Sequence, residues 1–148
     1  MFGKFAKQKH LLLFQSGNEC ENWIDISANL VYKMNMLVHV GEDILRLFER
    51  IDLYNELFPD TALCFVGLHI AGVSNAYPVF TQPFVDGARF ATETEINLYM
   101  QTRGFMPMGE DGVFSNGRIA LRDIKPKNVL CSADGEAVFV VDADVERV

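Results

Sequence analysis

The alternation of apolar and polar residues divides the first half of the chain into short strands and one longer amphipathic segment. Five runs rich in β-branched and apolar residues, separated by turn residues, predict strands: residues 10–16, 22–26, 30–36, 63–69 and 77–82. Apolar residues at helical spacing over 42–58 predict a helix, which Pro59 ends. The pattern therefore predicts three strands, a helix and two more strands.

The second half begins with a helix signal. Thr92 and Glu95 have the spacing of a capping box, and Gly104 closes the apolar stripe that follows. We expect that stripe to be core. Residues 105–118 contain several glycines and predict a loop or loose hairpin before the apolar run that starts at Ile119.

Two short apolar runs, 129–131 and 137–141, flank an Asp-Gly pair at Asp134 and Gly135. Asp-Gly is a strong hairpin signal because both loop residues of a type I′ turn need positive φ. If these two residues are the loop, 128 faces 141 and 127 faces 142. Asn128 and Asp142 then lie side by side, and their oxygens are ligands of the kind that Mg²⁺ takes. Asp144 shares the strand face of Asp142 and is the alternative ligand.

Pro126 disfavours the helical conformation for Lys125, so the polar residues from Asp123 to Lys127 are predicted to form a loop. An acid, a base two residues later and an amide five residues after the acid then precede the hairpin.

Composition and charge limit the class of protein to which the chain can belong. The chain has 148 residues, of which 49% are hydrophobic and 22% charged, which is ordinary for one globular domain. A net charge of −7 argues against nucleic acid as the main partner, because no basic stripe is available to neutralise phosphates. The apolar runs are too short to span a membrane. Three cysteines without ligand spacing predict free thiols in a reducing cytoplasm.

The run Asp123-Ile124-Lys125-Pro126-Lys127-Asn128, followed by Asp142 at the end of an apolar strand, resembles the catalytic loop and metal-binding aspartate of the protein-kinase-like phosphotransferases. Residues 55–59, residues 82–85 and Gly104-Phe105 extend this resemblance. Together these parts make the chain resemble the compact kinase-like domains of the polyvalent proteins of phages and conjugative elements. The resemblance implies a minimal α+β kinase-like fold. A five-stranded antiparallel sheet with one helix would occupy 1–82, and a hinge with a truncated helical and hairpin lobe would occupy 83–148.

The resemblance also implies roles at the catalytic loop. Asp123 would accept the proton of the substrate hydroxyl, Lys125 would face the transferring phosphate, and Asn128 and Asp142 would hold magnesium. ATP would be the second cofactor.

For nucleotide binding, the resemblance implies Lys33 on the third strand as the phosphate partner. Glu49, mid-helix, is favoured over Glu42 and Glu56 as the residue that holds this lysine. Residues 82–87 resemble the kinase hinge, so Phe84 and Val85 would offer amide and carbonyl to adenine, with Gln82 behind the pocket.

The sequence departs from the kinase pattern at three places. Only Gly17 lies between Ser16 and Trp23, where a glycine-rich phosphate loop is expected. Leu121 stands where the usual kinase loop has histidine. The chain ends six residues after Asp142, which suggests the lack of an activation segment and peptide-binding lobe.

Two functions therefore compete. The first is an ATP- and Mg²⁺-dependent phosphotransferase that acts on an unidentified hydroxyl. The second is a degenerate kinase-like binding module, a pseudokinase, for a partner protein or domain. We expect a partner or a second copy to cover an apolar surface near Val138, Val140, Val145 and Val148.

Overall fold

The computed structural model describes residues 12–16, 20–35, 43–72 and 75–148. The predicted turn at Gly17 and the ends of three predicted elements, at residues 10–11, 36 and 42, lie outside these ranges. The chain divides into two compact units. The first unit contains the described residues up to Phe48 together with Ala62–Phe84, and the second contains Glu49–Thr61 and Val85–Val148.

The first unit is built on a five-stranded sheet in the order β1-β2-β3-β5-β4. All of its neighbouring strands are antiparallel. Its strands are β1 Leu12–Ser16, β2 Cys20–Asp25, β3 Leu30–Asn35, β4 Cys64–Ala71 and β5 Asn75–Pro83. The β2–β3 hairpin turns through Asn29, whose φ of +55° is left-handed, a conformation that asparagine adopts more readily than most residues.

The two faces of this sheet carry different side chains. Met34 and Val79 lie opposite each other and form a buried pair, against which Trp23, Tyr32 and Tyr77 pack. On the other face, the helix residue Phe48 makes ring contacts with Phe65 and Phe80, at centroid distances of 5.1 and 6.0 Å. Alternation along the strands keeps the two sets apart.

The predicted amphipathic helix is α1, Ile44–Leu57. Leu47, Leu53 and Tyr54 are its most buried residues, whereas Leu45 is 69% exposed. A one-turn 3₁₀ helix, Pro59–Thr61, follows. Pro59 therefore ends the α-helix and begins a tighter turn, as its fixed φ and missing N–H allow.

The second unit contains seven short strands in two sheets, with orders β11-β10-β6 and β12-β9-β8-β7. These strands are β6 Arg89–Phe90, β7 Met106–Pro107, β8 Phe114–Ser115, β9 Ile119–Arg122, β10 Val129–Cys131, β11 Val138–Val140 and β12 Asp144–Arg147. Residues 105–118 form the loose hairpin that the glycine pattern predicted, because β7 pairs with β8.

The helix α2, Glu93–Thr102, has the predicted caps. Thr92 accepts a hydrogen bond from the Glu95 amide, and the Glu95 side chain accepts one from the Thr92 amide. At the other end, Gly104 has a φ of +84°, and its amide and that of Phe105 donate to carbonyls of the last turn. Ile96 and Met100 are buried, so the helix stripe is core as expected.

The β10–β11 hairpin has the predicted register, with Val129 opposite Val140 and Cys131 opposite Val138. The predicted turn type was wrong. The Gly135 amide donates to the Ser132 carbonyl, and Gly135 has positive φ while Asp134 does not. The loop is therefore four residues long, 133–136, instead of the predicted two. It adds one residue on each side of the Asp-Gly pair, so the pairing register of the two strands is unchanged.

The expected apolar interaction surface was wrong for two of its four residues. Val140 and Val145 are each 1% exposed. Val145 is covered because β12 pairs with β9 and places it opposite Leu121, which is fully buried. The apolar residue at 121 thus belongs to the core beneath the predicted catalytic loop. Val148 is 81% exposed.

The fold is mixed α/β, with two α-helices and several antiparallel sheets among the described residues. The prediction of a five-stranded sheet with one helix, followed by a truncated helical and hairpin lobe, is matched in part. Residues after 83 form two further sheets together with α2 instead of a single helix and hairpin. No helix in the described part of the chain is long and apolar enough to cross a membrane.

Candidate functional site

The predicted catalytic loop leaves the end of β9 at Arg122. Asp123 has a left-handed φ of +60°, a region sparsely populated by residues other than glycine. Ile124 is 2% exposed, and its amide donates to the Gly112 carbonyl at 3.0 Å. Lys125 is extended, as the following proline requires, and Pro126–Asn128 forms a 3₁₀ turn. The loop is thus anchored at its centre while Asp123 is held in a sparsely populated conformation.

Asn128 is the residue that holds Asp123. It is 8% exposed, and its Nδ2 donates to the Asp123 carbonyl oxygen and to Asp123 Oδ2, both at 2.9 Å. Both amide hydrogens are therefore directed at Asp123, and the remaining polar atom of the side chain is the acceptor Oδ1. This arrangement fixes the carboxylate of Asp123 and presents an amide oxygen in the same loop.

Two lysines of the loop lie near carboxylates. Lys125 Nζ is 3.6 Å from Asp111 Oδ2, and Lys127 Nζ is 3.6 Å from Asp123 Oδ2. Three of these four side chains are more than 40% exposed, so each pair contributes little to stability. An ammonium held this loosely can be redirected to a phosphate at small cost.

Asp142 lies in a three-residue link, 141–143, between β11 and β12. The Val141 amide donates to the Asn128 carbonyl at 2.9 Å, so the pairing of the β10–β11 hairpin continues by one residue pair. In this register residue 142 lies at the open end of the hairpin, next to Lys127. The Asp142 side chain is exposed.

The alternative ligand Asp144 has a different setting. It is the first residue of β12, where it pairs with Arg122, and its Oδ1 lies 3.7 Å from Arg50 Nη1. Its carboxylate thus has a cationic partner within the second unit. This contrast favours Asp142 as the carboxylate that a cation would use.

The predicted nucleotide-binding residues Lys33, Gln82 and Phe84 belong to the first unit. Lys33 is half-buried and lies opposite Phe80, on the sheet face against which Phe48 packs. Gln82 is 2% exposed. The amide of Phe84, expected to serve adenine, instead donates to the Asn29 carbonyl at 3.0 Å, because Phe84 continues the β3–β5 pairing by one residue.

Glu49 and Val85 belong to the second unit. Glu49 is exposed on α1 and Val85 is half-buried. The chain passes from the first unit to the second between Phe84 and Val85, inside the segment predicted to be a hinge. The pairing of Glu49 with Lys33 and the adenine contact of Val85 stay predictions.

Sequence reasoning missed a polar cluster centred on Glu95. Its two carboxylate oxygens accept hydrogen bonds from Arg89 Nη1 and Nη2, both at 2.9 Å, in a bidentate pair. This pair and the bonds from Thr92 hold the pKa of Glu95 well below its usual range, and the bond to Glu95 raises the pKa of Arg89. Burial raises the pKa of the Cys131 thiol, which donates to Glu95 Oε2 at 3.5 Å.

The Glu95 cluster joins three elements of the second unit. Arg89 pairs with Cys131 across β6 and β10, and Glu95 lies in the first turn of α2. A Cβ on Gly135, at the tip of the β10–β11 hairpin, would lie 2.9 Å from Glu95 Oε2. The sequence signal was the capping box, but nothing in the spacing identified Arg89 as the partner.

The candidate metal ligands are one amide and one carboxylate. Within the described residues, no group of three or more His, Cys, Asp or Glu side chains is arranged to hold a metal ion. The donor set of Asn128 Oδ1 and Asp142 fits a hard cation such as Mg²⁺, which in nucleotide sites takes one or two protein oxygens and completes its shell with phosphates and water.

The family model described as "Serine/Threonine/Tyrosine Kinase found in polyvalent proteins" matches residues 4–147, nearly the whole chain. No curated protein and no solved structure matches the chain significantly. From the extent of the family match, the chain belongs to the family of serine/threonine/tyrosine kinases found in polyvalent proteins.

Proposed function

We propose that the protein is an ATP- and Mg²⁺-dependent phosphotransferase that transfers the γ-phosphoryl group to a hydroxyl. The observation that carries this proposal is the contact between Asn128 and Asp123, in which Asn128 Nδ2 donates to the carbonyl oxygen and to Oδ2 of Asp123, both at 2.9 Å. The side chains proposed as proton acceptor and as metal ligand are thereby joined in one loop. Phosphoryl transfer depends on such positioning more than on covalent chemistry by the protein.

Asp123 is proposed as the proton acceptor. Its side chain is 42% exposed, so a substrate hydroxyl can reach it, while Asn128 restricts its rotation. Its left-handed backbone supports this role, since residues in sparsely populated conformations cluster at functional sites. Lys125 is proposed to leave Asp111 and neutralise the transferring phosphate.

Asn128 Oδ1 and the Asp142 carboxylate are proposed to hold the magnesium ion. The ion would neutralise charge on the phosphate oxygens when bound. In this proposal the chain presents these two oxygens next to Asp123. The hydroxyl substrate, any partner protein that presents it, and the nucleotide contacts of Lys33, Glu49, Gln82 and Val85 remain parts of the proposal.

A pseudokinase that acts as a binding module is the second candidate. The observation that favours it is the Phe84 amide, which donates to Asn29 and so cannot also donate to adenine. A binding module has no need of the contact at Asn128, where a buried amide donates to both the backbone carbonyl and the carboxylate of Asp123.

A thermal-shift titration distinguishes the two candidates. The chain is titrated with ATP in the presence of Mg²⁺ and, separately, with ATP and EDTA. A ligand at a hundredfold over its Kd stabilises the native state by about 2.7 kcal/mol. We expect stabilisation with Mg²⁺ and ATP together and much less with EDTA.

Two matched variants locate the metal. Asp142→Asn removes the proposed ligand, and Asp144→Asn makes the same change two residues later, where the carboxylate faces Arg50. We expect the Mg²⁺-dependent shift to be lost in the first variant and kept in the second. A chain that shows no Mg²⁺-dependent response to ATP supports the binding module, and equal responses of the two variants contradict the assignment of Asp142.

A further inference from the structure

The carbonyl oxygen of Val140 accepts hydrogen bonds from two buried hydroxyls. Tyr54 Oη donates to it at 2.7 Å and Thr61 Oγ1 at 2.6 Å, and the two hydroxyl oxygens lie 3.0 Å apart. Tyr54 is 3% exposed and Thr61 1% exposed. These three oxygens form a compact, buried polar group within the second unit.

The two lone pairs of the Val140 carbonyl oxygen explain how the hydroxyls of Tyr54 and Thr61 constrain the backbone. A carbonyl oxygen has two lone pairs, and here both are used by side chains that come from α1 and from the 3₁₀ turn after it. If either hydroxyl moves away, the buried carbonyl oxygen loses one of its two hydrogen bonds, which is unfavourable. The hydroxyl pair thus resists any displacement of residue 140.

Val140 is the last residue of β11 and precedes the link that carries Asp142. The next amide, Val141, donates to Asn128, and Asp144 starts β12 opposite Arg122. The link is therefore fixed at both ends, and its first fixed point is the carbonyl held by the two hydroxyls.

We propose that Tyr54 and Thr61 are positioning residues that fix the backbone of the 141–143 link and thereby place Asp142 beside Asn128. The proposal rests on the proposed function for what Asp142 does. Neither hydroxyl touches substrate or metal; both act through the Val140 carbonyl. Loss of either hydroxyl loosens the link and weakens the use of Asp142 as a ligand.

The test uses three variants. Tyr54→Phe and Thr61→Val each remove one hydroxyl and keep the shape of the side chain, and Thr61→Ser is the control that keeps the hydroxyl. Amide hydrogen exchange is measured by NMR in the nucleotide-free chain at Val141 and Asp142. The Phe105 amide, which donates to Met100 at the end of α2, serves as the internal reference.

In Tyr54→Phe and Thr61→Val, we expect the ratio of the exchange rate at Val141 to that at Phe105 to rise about tenfold over its value in the unmodified chain. The loss of one hydrogen bond near the link predicts a change of this size. Thr61→Ser should leave this ratio unchanged. A purely structural role would accelerate both amides together, and that outcome, or an unchanged Val141, overturns the proposal.

A second readout addresses the function of the link. The Mg²⁺ concentration that gives half of the ATP-dependent thermal shift should rise about three- to tenfold in the two hydroxyl-deletion variants. If the unmodified chain shows no such shift, the proposed function fails, and the exchange data alone decide whether the hydroxyls fix the link. If the unmodified chain responds and the variants need no more Mg²⁺, the positioning proposal fails by itself.

Discussion

The two units of the molecule are stabilised in different ways. In the first, strands of five to nine residues pair along antiparallel ladders, two of which contain a register shift. In the second, strands of two to four residues make only a few ladder bonds each. Strands so short are not stable by themselves, so the second unit depends on specific side-chain contacts.

Two of the contacts described above lie near the proposed chemistry, and a third lies at the tip of the β10–β11 hairpin. Asn128 holds Asp123, the hydroxyls of Tyr54 and Thr61 hold Val140, and Arg89 holds Glu95. They join residues of one loop, residues 79 and 86 positions apart along the chain, and residues of β6 and α2. The comparison teaches that a single side chain in the second unit can fix a functional position, whereas in the first unit position is fixed by many backbone bonds.

The largest expected effect is on activity. Asp123→Asn should lower the rate of phosphoryl transfer from ATP by about 10²–10⁴-fold, because a general base acts in the transition state, and should leave nucleotide affinity nearly unchanged. Asparagine also adopts left-handed φ, so the backbone is preserved. Single-turnover transfer or hydrolysis of labelled ATP measures the rate, and equilibrium titration measures the affinity.

The matched control for this variant lies in the first unit. Asp25→Asn makes the same change at a carboxylate that accepts hydrogen bonds from Ser27 and the Ala28 amide in the β2–β3 turn. We expect full activity from it. Equal losses in both variants, or a parallel loss of nucleotide affinity in Asp123→Asn, would show that residue 123 acts through the fold.

The sequence was informative where local pattern decides the structure. Strand alternation gave the sheet strands, the capping box gave α2, and turn symmetry gave the register that pairs Val129 with Val140. The turn type was missed because two loops of different length can preserve the same register. Local pattern was enough because neighbouring residues make these contacts.

The features that the sequence pattern did not predict depend on contacts between residues that are distant along the chain. That β12 covers Leu121 and buries Val145 follows from pairing across 24 positions, which no local spacing reveals. Tyr54 lies within the predicted helix 42–58, and the need of a buried tyrosine hydroxyl for a hydrogen-bond partner is a signal that the helical pattern does not contain. Its partner Val140, 86 residues away, could not be identified from it.

A smaller effect is expected on stability at the hairpin tip. Gly135→Ala should destabilise the chain by about 1–3 kcal/mol, because alanine is strained at φ +76° and its Cβ would lie 2.9 Å from Glu95 Oε2. Gly117→Ala is the control, with a φ of +86° and no atom within 4 Å of the added Cβ. Urea denaturation should give the control only the strain, about 1 kcal/mol. Equal losses would mean that the Glu95 cluster yields freely and does not anchor the hairpin.

The smallest expected effect is a dependence of stability on pH. Because Arg89 and Thr92 lower the pKa of Glu95 in the folded chain, ionised Glu95 stabilises the fold fully above its ordinary pKa of 4.5, and this contribution falls as pH drops below that value. The difference in unfolding free energy between the unmodified chain and Glu95→Gln should therefore be largest near neutral pH and narrow below about pH 4.5. Urea denaturation at a series of pH values measures it, with Glu93→Gln as the control that removes a carboxylate from the same helical turn but leaves the Arg89 pair intact. The control should change the pH profile much less. If the two variants gave the same profile, the bidentate pair would be one more weak surface contact, and the dependence of the second unit on specific side chains would have to rest on Asn128, Tyr54 and Thr61 alone.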